Sequence, residues 1–467
     1  MAIVINQKPS QRVLPVGQEI LFSIIDSTTL VSHYNIRYFC DVYISESTKN
    51  DAVKVATLKT TPNAAGVGIF DVRRTVESEL SPDYFLDVKM SQVLVKGTSG
   101  VEGAPIHHAT KYSKAIDSTR QFYCKFYTKG TLGIGGASNV VGSSLDSDTH
   151  LVFNGYPDSN DRLFNTAGDY GYSMTDMNLY MENNTGRFLS DMPTQLYARA
   201  NDFGVGGFIQ SPKFYDPLYT GVYKIRYTFL DTSGSVLSST EVNATTANGG
   251  SPHNFSTEVP ERCKSYVGLY PANIKQFLTI PSGACCYGVK FLTSSNVAKS
   301  RTYIVNIVDE CKFPVVRLCW LNKYGAWDYY NFNKKSVITT SSNKKYYNSS
   351  LGNWTGDKFK HNYHSGGKMA YSVSSKESMS LNSEYITEED ALWLEGLVNS
   401  SSVFLIKEGD GWSVGDTPVT EFTNFRDMIQ PVIVTSSSLV RKTVVNDKLI
   451  MHSFNIEKSI SNNTNRI

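Results

Sequence analysis

Charge is what this chain has little of. Of its 467 residues, 19% are Asp, Glu, Lys or Arg, below the roughly 25% of an ordinary soluble domain. The net charge is +2, too small for the one-signed field that nucleic-acid or membrane-surface binding draws on. No apolar run reaches the ~18 residues of a spanning helix. The opening Met1-Ala-Ile-Val-Ile-Asn-Gln-Lys-Pro9 has no basic segment leading into a long apolar one. Neither a membrane span nor a signal peptide is therefore expected. The seven cysteines, at positions 40, 124, 263, 285, 286, 311 and 319, show no C-x-x-C spacing. An odd number without an export signal predicts reduced, buried thiols.

Motifs for chemistry are equally scarce. Gly366-Gly-Lys368 is followed by Met369, and Asn362 stands where a phosphate loop needs its first glycine. Gly97-Thr-Ser-Gly100 runs into Val101 and is no nucleophile elbow. His361-x-x-His364 lacks the third and fourth ligands of a zinc site and reads as exposed loop histidines, as does His107-His108. Asp146-Ser-Asp148 and Asp158-Ser-Asn-Asp161 lack the glycine and closing glutamate of a calcium loop and read as turns. Glu388, Glu389 and Asp390 form the densest acidic cluster. The first turn of a helix accounts for them without catalysis. No catalytic residue, cofactor or metal is assigned, and the chain is not expected to be an enzyme.

In place of charge there are Ser, Thr, Asn, Gly and 28 Tyr, a composition suited to sheets and turns. Strand alternation is clear at Tyr34, Ile36, Tyr38, Cys40, Val42 and Ile44, again over Phe122–Tyr127, and at Tyr223, Ile225, Tyr227 and Phe229. The last runs into the turn Asp231-Thr-Ser-Gly234. Two helices of about three turns are expected. One follows Asp71, with Val72, Val76 and Leu80 on a face ended by Ser81-Pro82. The other follows Thr387, which forms a capping box with Asp390. The polar stretches 131–150 and 339–367 read as long loops, of a length that usually serves binding.

The densest feature is 318–332, with two Trp, three Tyr and one Phe around Asn322-Lys-Tyr-Gly325. It predicts an antiparallel hairpin with Gly325 at a position of positive φ. Lys334-Lys335 and Lys344-Lys345 follow it; basic residues among aromatics suit single-stranded nucleic acid, but the near-neutral chain favours solvated lysines that guard a strand edge. Trp320, Tyr324, Trp327, Tyr329, Tyr330, Trp354 and Trp412 are candidate interface residues. Core packing is the competing role, and for the tryptophans the weightier one.

The fold class expected is mainly β: several immunoglobulin-like β-sandwich domains with two short helices. The segments are 1–140, a sandwich with a short helix; 141–215, a β-rich connection; 216–312, an immunoglobulin-like sandwich; and 313–467, a β-rich domain with one helix.

Four motifs in order carry a resemblance across most of the chain. They are Tyr34-Asn-Ile-Arg-Tyr-Phe39 leading to Gly68-Ile-Phe-Asp-Val72; Val152-Phe-Asn-Gly155 with Arg187-Phe-Leu-Ser-Asp-Met-Pro193; Trp320-Leu-Asn-Lys-Tyr-Gly-Ala-Trp-Asp-Tyr329; and Leu392-Trp-Leu-Glu-Gly-Leu-Val398 with Val403-Phe-Leu-Ile406 and Pro431-Val-Ile-Val434. In this order the chain resembles structural proteins of tailed-bacteriophage virions, of the tail, collar or fibre-associated kind. The resemblance implies a β-rich protein made in the host bacterial cytoplasm and built into the virion. Its partners would be further copies of itself, as a symmetric homo-oligomer, and neighbouring virion proteins. No partner nucleic acid is expected. Two other readings stand beside it: a receptor-binding module for host-surface glycan, and a glycan-degrading tail enzyme.

Overall fold

The computed structural model describes residues 3–9, 11, 13–45, 49–85, 105–109, 112–115, 117–157, 186–209, 222, 224–243, 264–293, 295–308, 312–361, 366–406, 429–436, 451–459 and 462–463. Trp412, Tyr223, Cys263, Cys311, His364, 97–100 and 158–161 lie outside the described residues. The fold is mainly β, as expected, and divides into two compact units. The first takes 1–309, 321–328 and 410–423; the second takes 310–320, 329–409 and 424–467.

In the first unit, the sheet of Val4–Gln7, Leu21–Ile25 and Val67–Asp71 faces a larger one built on Tyr34–Ser45 and Thr119–Thr131. The alternation of Tyr34–Ser45 explains the packing. Tyr38, Cys40, Val42 and Ile44 enter the core with Phe22, Phe70, Phe122, Cys124 and Phe126. Phe39 and Tyr43, on the opposite face, stack on Tyr127 and Tyr123 at 5.1 and 4.9 Å between ring centres. Asn139–Asp146 pairs antiparallel with Thr119–Thr131. Part of the expected loop 131–150 is therefore a strand, and the boundary placed at 140 falls inside it.

A second sandwich in this unit sets a five-stranded sheet against Val205–Ile209, Lys264–Gly268 and Tyr112–Lys114. Ile225, Tyr227 and Phe229 alternate inward along Lys224–Leu230. Asp231 closes the hairpin by accepting the Ser233 and Ser235 amides, with Gly234 at φ 81°. The Tyr227 and Tyr287 hydroxyls donate across the sandwich to the Gly268 and Leu269 carbonyls. Three strands of this sandwich, Gln195–Ala198, Val205–Ile209 and Tyr112–Lys114, come from before residue 216.

The second unit holds one large sheet in the order Trp327–Phe332, Val316–Leu321, Val403–Ile406, Ile429–Val434, Ser453–Lys458, Gly367–Asn382, Val337–Ser349. Helix Glu388–Asn399 starts on the expected capping box: Thr387 Oγ1 accepts the Asp390 amide and Asp390 Oδ2 accepts the Thr387 amide. It buries Ala391, Trp393, Leu394 and Leu397. The other expected helix is shorter, Arg73–Glu77, with Val72 at the cap position. Asp71 ends a strand instead, though its carboxylate still holds the Arg73 amide at 3.0 Å.

Candidate interaction surface

The hairpin at 318–332 forms as its sequence demands. Asn322 Oδ1 accepts the Tyr324 and Ala326 amides, and Gly325 closes the turn at φ 70°. The turn, 321–328, belongs to the first unit. There Lys264 Nζ donates to the Gly325 carbonyl at 2.6 Å and to Ser118 Oγ at 2.9 Å, 3.8 Å from the Asp83 carboxylate. Asp83 also accepts the Tyr266 hydroxyl at 2.7 Å, the Ser118 hydroxyl and the amides of Asp117 and Ser118. Trp327 Nε1 donates to the Asp83 carbonyl at 2.9 Å. Burial lowers the Lys264 pKa to about 8, against the opposing pull of Asp83. With this many partners the cluster reads as a buried latch on the turn. Sequence reading missed it because Asp83, Ser118, Lys264 and Tyr266 meet only in space.

His107 and His108 belong to the same region and, contrary to the exposed loop expected, are buried in a short 3-10 turn, Ile106–His108. His107 meets Trp327 edge-on at 5.0 Å and His108 packs on Phe203 at 4.6 Å. Asn273 fixes the turn, donating to the carbonyls of His107 and Ala109. Burial drives the His108 pKa down to about 4.

Of the candidate interface residues, Trp320 is fully buried and tilted against Trp393 at 5.3 Å. Tyr324 is buried and donates to Asp191. Trp327, 2% exposed, is buried as above, and Tyr329 lies under the Arg317 guanidinium at 5.1 Å. Tyr330 is half-buried against Trp393. These five side chains pack within the chain, where they present little or no contact surface. Trp354 alone among the described candidates is exposed, at 73%.

Trp354 lies within 339–367, where the sequence predicts a loop and the structure has strands. Val337–Ser349 and Gly367–Asn382 pair along their length as an antiparallel arm. The small hairpin of Gly352–Thr355 and Lys358–His361 lies between them in sequence. At its root the arm joins the sheet through Ser453–Lys458 and Asn462–Asn463. Beyond Ser374 no third strand pairs with it among the described residues. Strands here are betrayed by Thr, Tyr and Val, not by apolar alternation, because Val337–Asn348 is exposed throughout. Tyr346 and Lys368 share one face, with the ammonium 4.5 Å from the ring centre. Tyr347, Met369 and Tyr371 share the other. Trp354 and Phe359 meet edge-on at 5.5 Å on the small hairpin. Residues 343–374 carry Lys344, Lys345, Lys358, Lys360 and Lys368 against Asp357, a net +4 in a chain of net +2.

A shallow cavity of about 160 Å³ lies at the arm's root, lined by Thr340, Ser375, Lys376, Glu377, Gln430, Pro431 and Lys458. Its charges are neutralised in pairs, Lys376 with Glu457 and Lys458 with Glu377. No helix among the described residues is long and apolar enough to cross a membrane.

No protein-family model matches the chain, and no curated protein matches it. Among solved structures, E. coli alpha-2-macroglobulin in its native conformation is 7% identical over 81% of this chain and 22% of its own, at a TM-score of 0.18. Salmonella alpha-2-macroglobulin, as a point mutant and as the methylamine-reacted protein, is 7% and 8% identical over 97% of this chain and 23% of its own, each at 0.19. The chain spans less than a quarter of these proteins, and at such scores the likeness assigns neither fold nor function.

Proposed function

We propose that this chain is a structural protein of a tailed-bacteriophage virion, in the tail, collar or fibre-attachment apparatus. It forms a symmetric homo-oligomer there and docks neighbouring virion proteins, after assembly in the host cytoplasm. The arm carries this reading. An isolated two-stranded ribbon is marginal in water, and this one exposes tyrosines and lysines on both faces, with Trp354 and Phe359 on the small hairpin. Such an element gains its stabilising burial from another molecule. Repeating one patch by rotation multiplies that gain. The resemblance of its sequence motifs to those of virion proteins supplies the setting.

Quantitative mass spectrometry of washed particles tests the proposal. The chain is expected in a fixed copy number that matches its oligomeric state in solution. A monomer that washes off the particles would end this reading.

One observation favours glycan recognition as a second reading: the exposed Trp354–Phe359 pair, since aromatic faces stack on sugar rings. It predicts Trp fluorescence quenching by host-surface glycan that disappears in Trp354→Ala.

A further inference from the structure

Resting on the assembly role proposed above, the geometry points to where the arm goes. We propose that the arm of one copy docks on the exposed face of helix Glu388–Asn399 of a second copy, head to tail. The arm brings net charge +4 over 343–374. Lys344, Lys345, Lys358 and Lys360 make no ion pair among the described residues. The complementary surface lies in the same unit. Residues 384–395 hold Glu384, Glu388, Glu389, Asp390 and Glu395 with no Lys or Arg. Three of these carboxylates are engaged within the chain. Glu384 takes hydrogen bonds from Lys334 and Asn333, Asp390 serves the capping box, and Glu395 faces His452.

Glu388 and Glu389 remain, exposed and in no ion pair among the described residues. They share a stripe with Leu392 at helical spacing, and Tyr385 stands just before the helix. Leu392 and Tyr385 are both exposed. The helix therefore offers acid beside apolar surface, and the arm offers lysine beside aromatic surface. Each half matches the other and neither matches itself, so the contact joins the arm of one copy to the helix of another, and we take it head to tail. Such a contact closes into a ring when its rotation permits. From Asn343 to Ser349 the ribbon extends about 20 Å at the usual strand rise, enough to reach past its own sheet to a neighbour.

Charge exchange tests this. Lys344→Glu with Lys345→Glu, and separately Glu388→Lys with Glu389→Lys, are each expected to weaken self-association roughly tenfold or more. Sedimentation velocity across a concentration series measures this. All four changes together are expected to restore association to near the wild-type level. Melting close to wild type in each variant, lowered slightly in the helix variant where lysines oppose the helix dipole, confirms that the exposed sites have not disturbed the core.

Three results overturn the inference: a wild-type chain that is monomeric throughout, a reversal that leaves association unchanged, or a fourfold variant that fails to recover. Binding of a labelled single-stranded oligonucleotide or an acidic glycan, lost in the arm variant while association persists, overturns it too and reassigns the arm. An oligomer indifferent to these charges but present in washed particles sinks the arm–helix contact and leaves the virion reading standing.

Discussion

Gly325 has no room for a side chain. A β-carbon built there would overlap the Asn154 carbonyl oxygen, and the residue sits at φ 70°. Gly234, at φ 81°, faces open space and isolates the backbone effect alone. Gly325→Ala is expected to cost about 3 kcal/mol or more, Gly234→Ala only about 1 kcal/mol. Guanidinium unfolding followed by tryptophan fluorescence separates them, and equal costs would contradict the close approach. The need for glycine in the turn was legible from Asn322-Lys-Tyr-Gly325, but the backbone it abuts was not, because Asn154 is distant in sequence. His108 is a case where local reading misled, since neighbours far along the chain bury it. Its pKa in the fold, about 4, lies below the ordinary 6.5. The folded protein thus refuses a proton that the unfolded chain accepts. Stability from this residue is complete above pH 6.5 and drains away as pH falls to about 4, by roughly 3 kcal/mol. In His108→Phe the loss of stability between those pH values should shrink by that amount; an unchanged pH profile would show that His108 is not held neutral.

At the level of elements, the sequence signal is only as strong as the burial behind it. Tyr34–Ser45 and Lys224–Leu230 each have one buried face, so their alternation was readable and fixes their register. The capping box at Thr387 was readable because its partners lie three residues apart. Asp71 offered the same kind of local signal, but pairing of Val67–Asp71 with Leu21–Ile25 claims that residue for a strand and shortens the helix. The arm gave no periodic signal because Val337–Asn348 is exposed on both faces and Gly367–Lys376 is at most half-buried, with no alternation. Polar strands of this kind are indistinguishable from loops until their cross-strand partners are known. The latch around Lys264 was hidden for the complementary reason: a buried lysine and aspartate from distant segments leave no spacing to recognise.

Across the whole molecule, elements that stabilise the fold separate from elements that spend backbone order without burying a core. The arm beyond its root belongs to the second group, since ordering each of its residues costs about 1–2 kcal/mol of backbone entropy while the side chains of Val337–Asn348 stay exposed and those of Gly367–Ser374 are at most half-buried. Its worth to the protein must then be realised outside the chain. Ser342 and Ser375 face each other across the ribbon, so 343–374 can be replaced by an Asn-Gly turn of the type that closes two-residue hairpins. The shortened protein is expected to melt within about 2 °C of the full chain, because a loss of 1 kcal/mol would already move a midpoint by ~2–4 °C in domains of comparable size. Its self-association should fall to the level of the Lys344→Glu, Lys345→Glu variant or below. Calorimetry and sedimentation read the two outcomes independently. A large drop in melting temperature would make the arm part of the fold's own support, and retained association would place the contact between copies elsewhere.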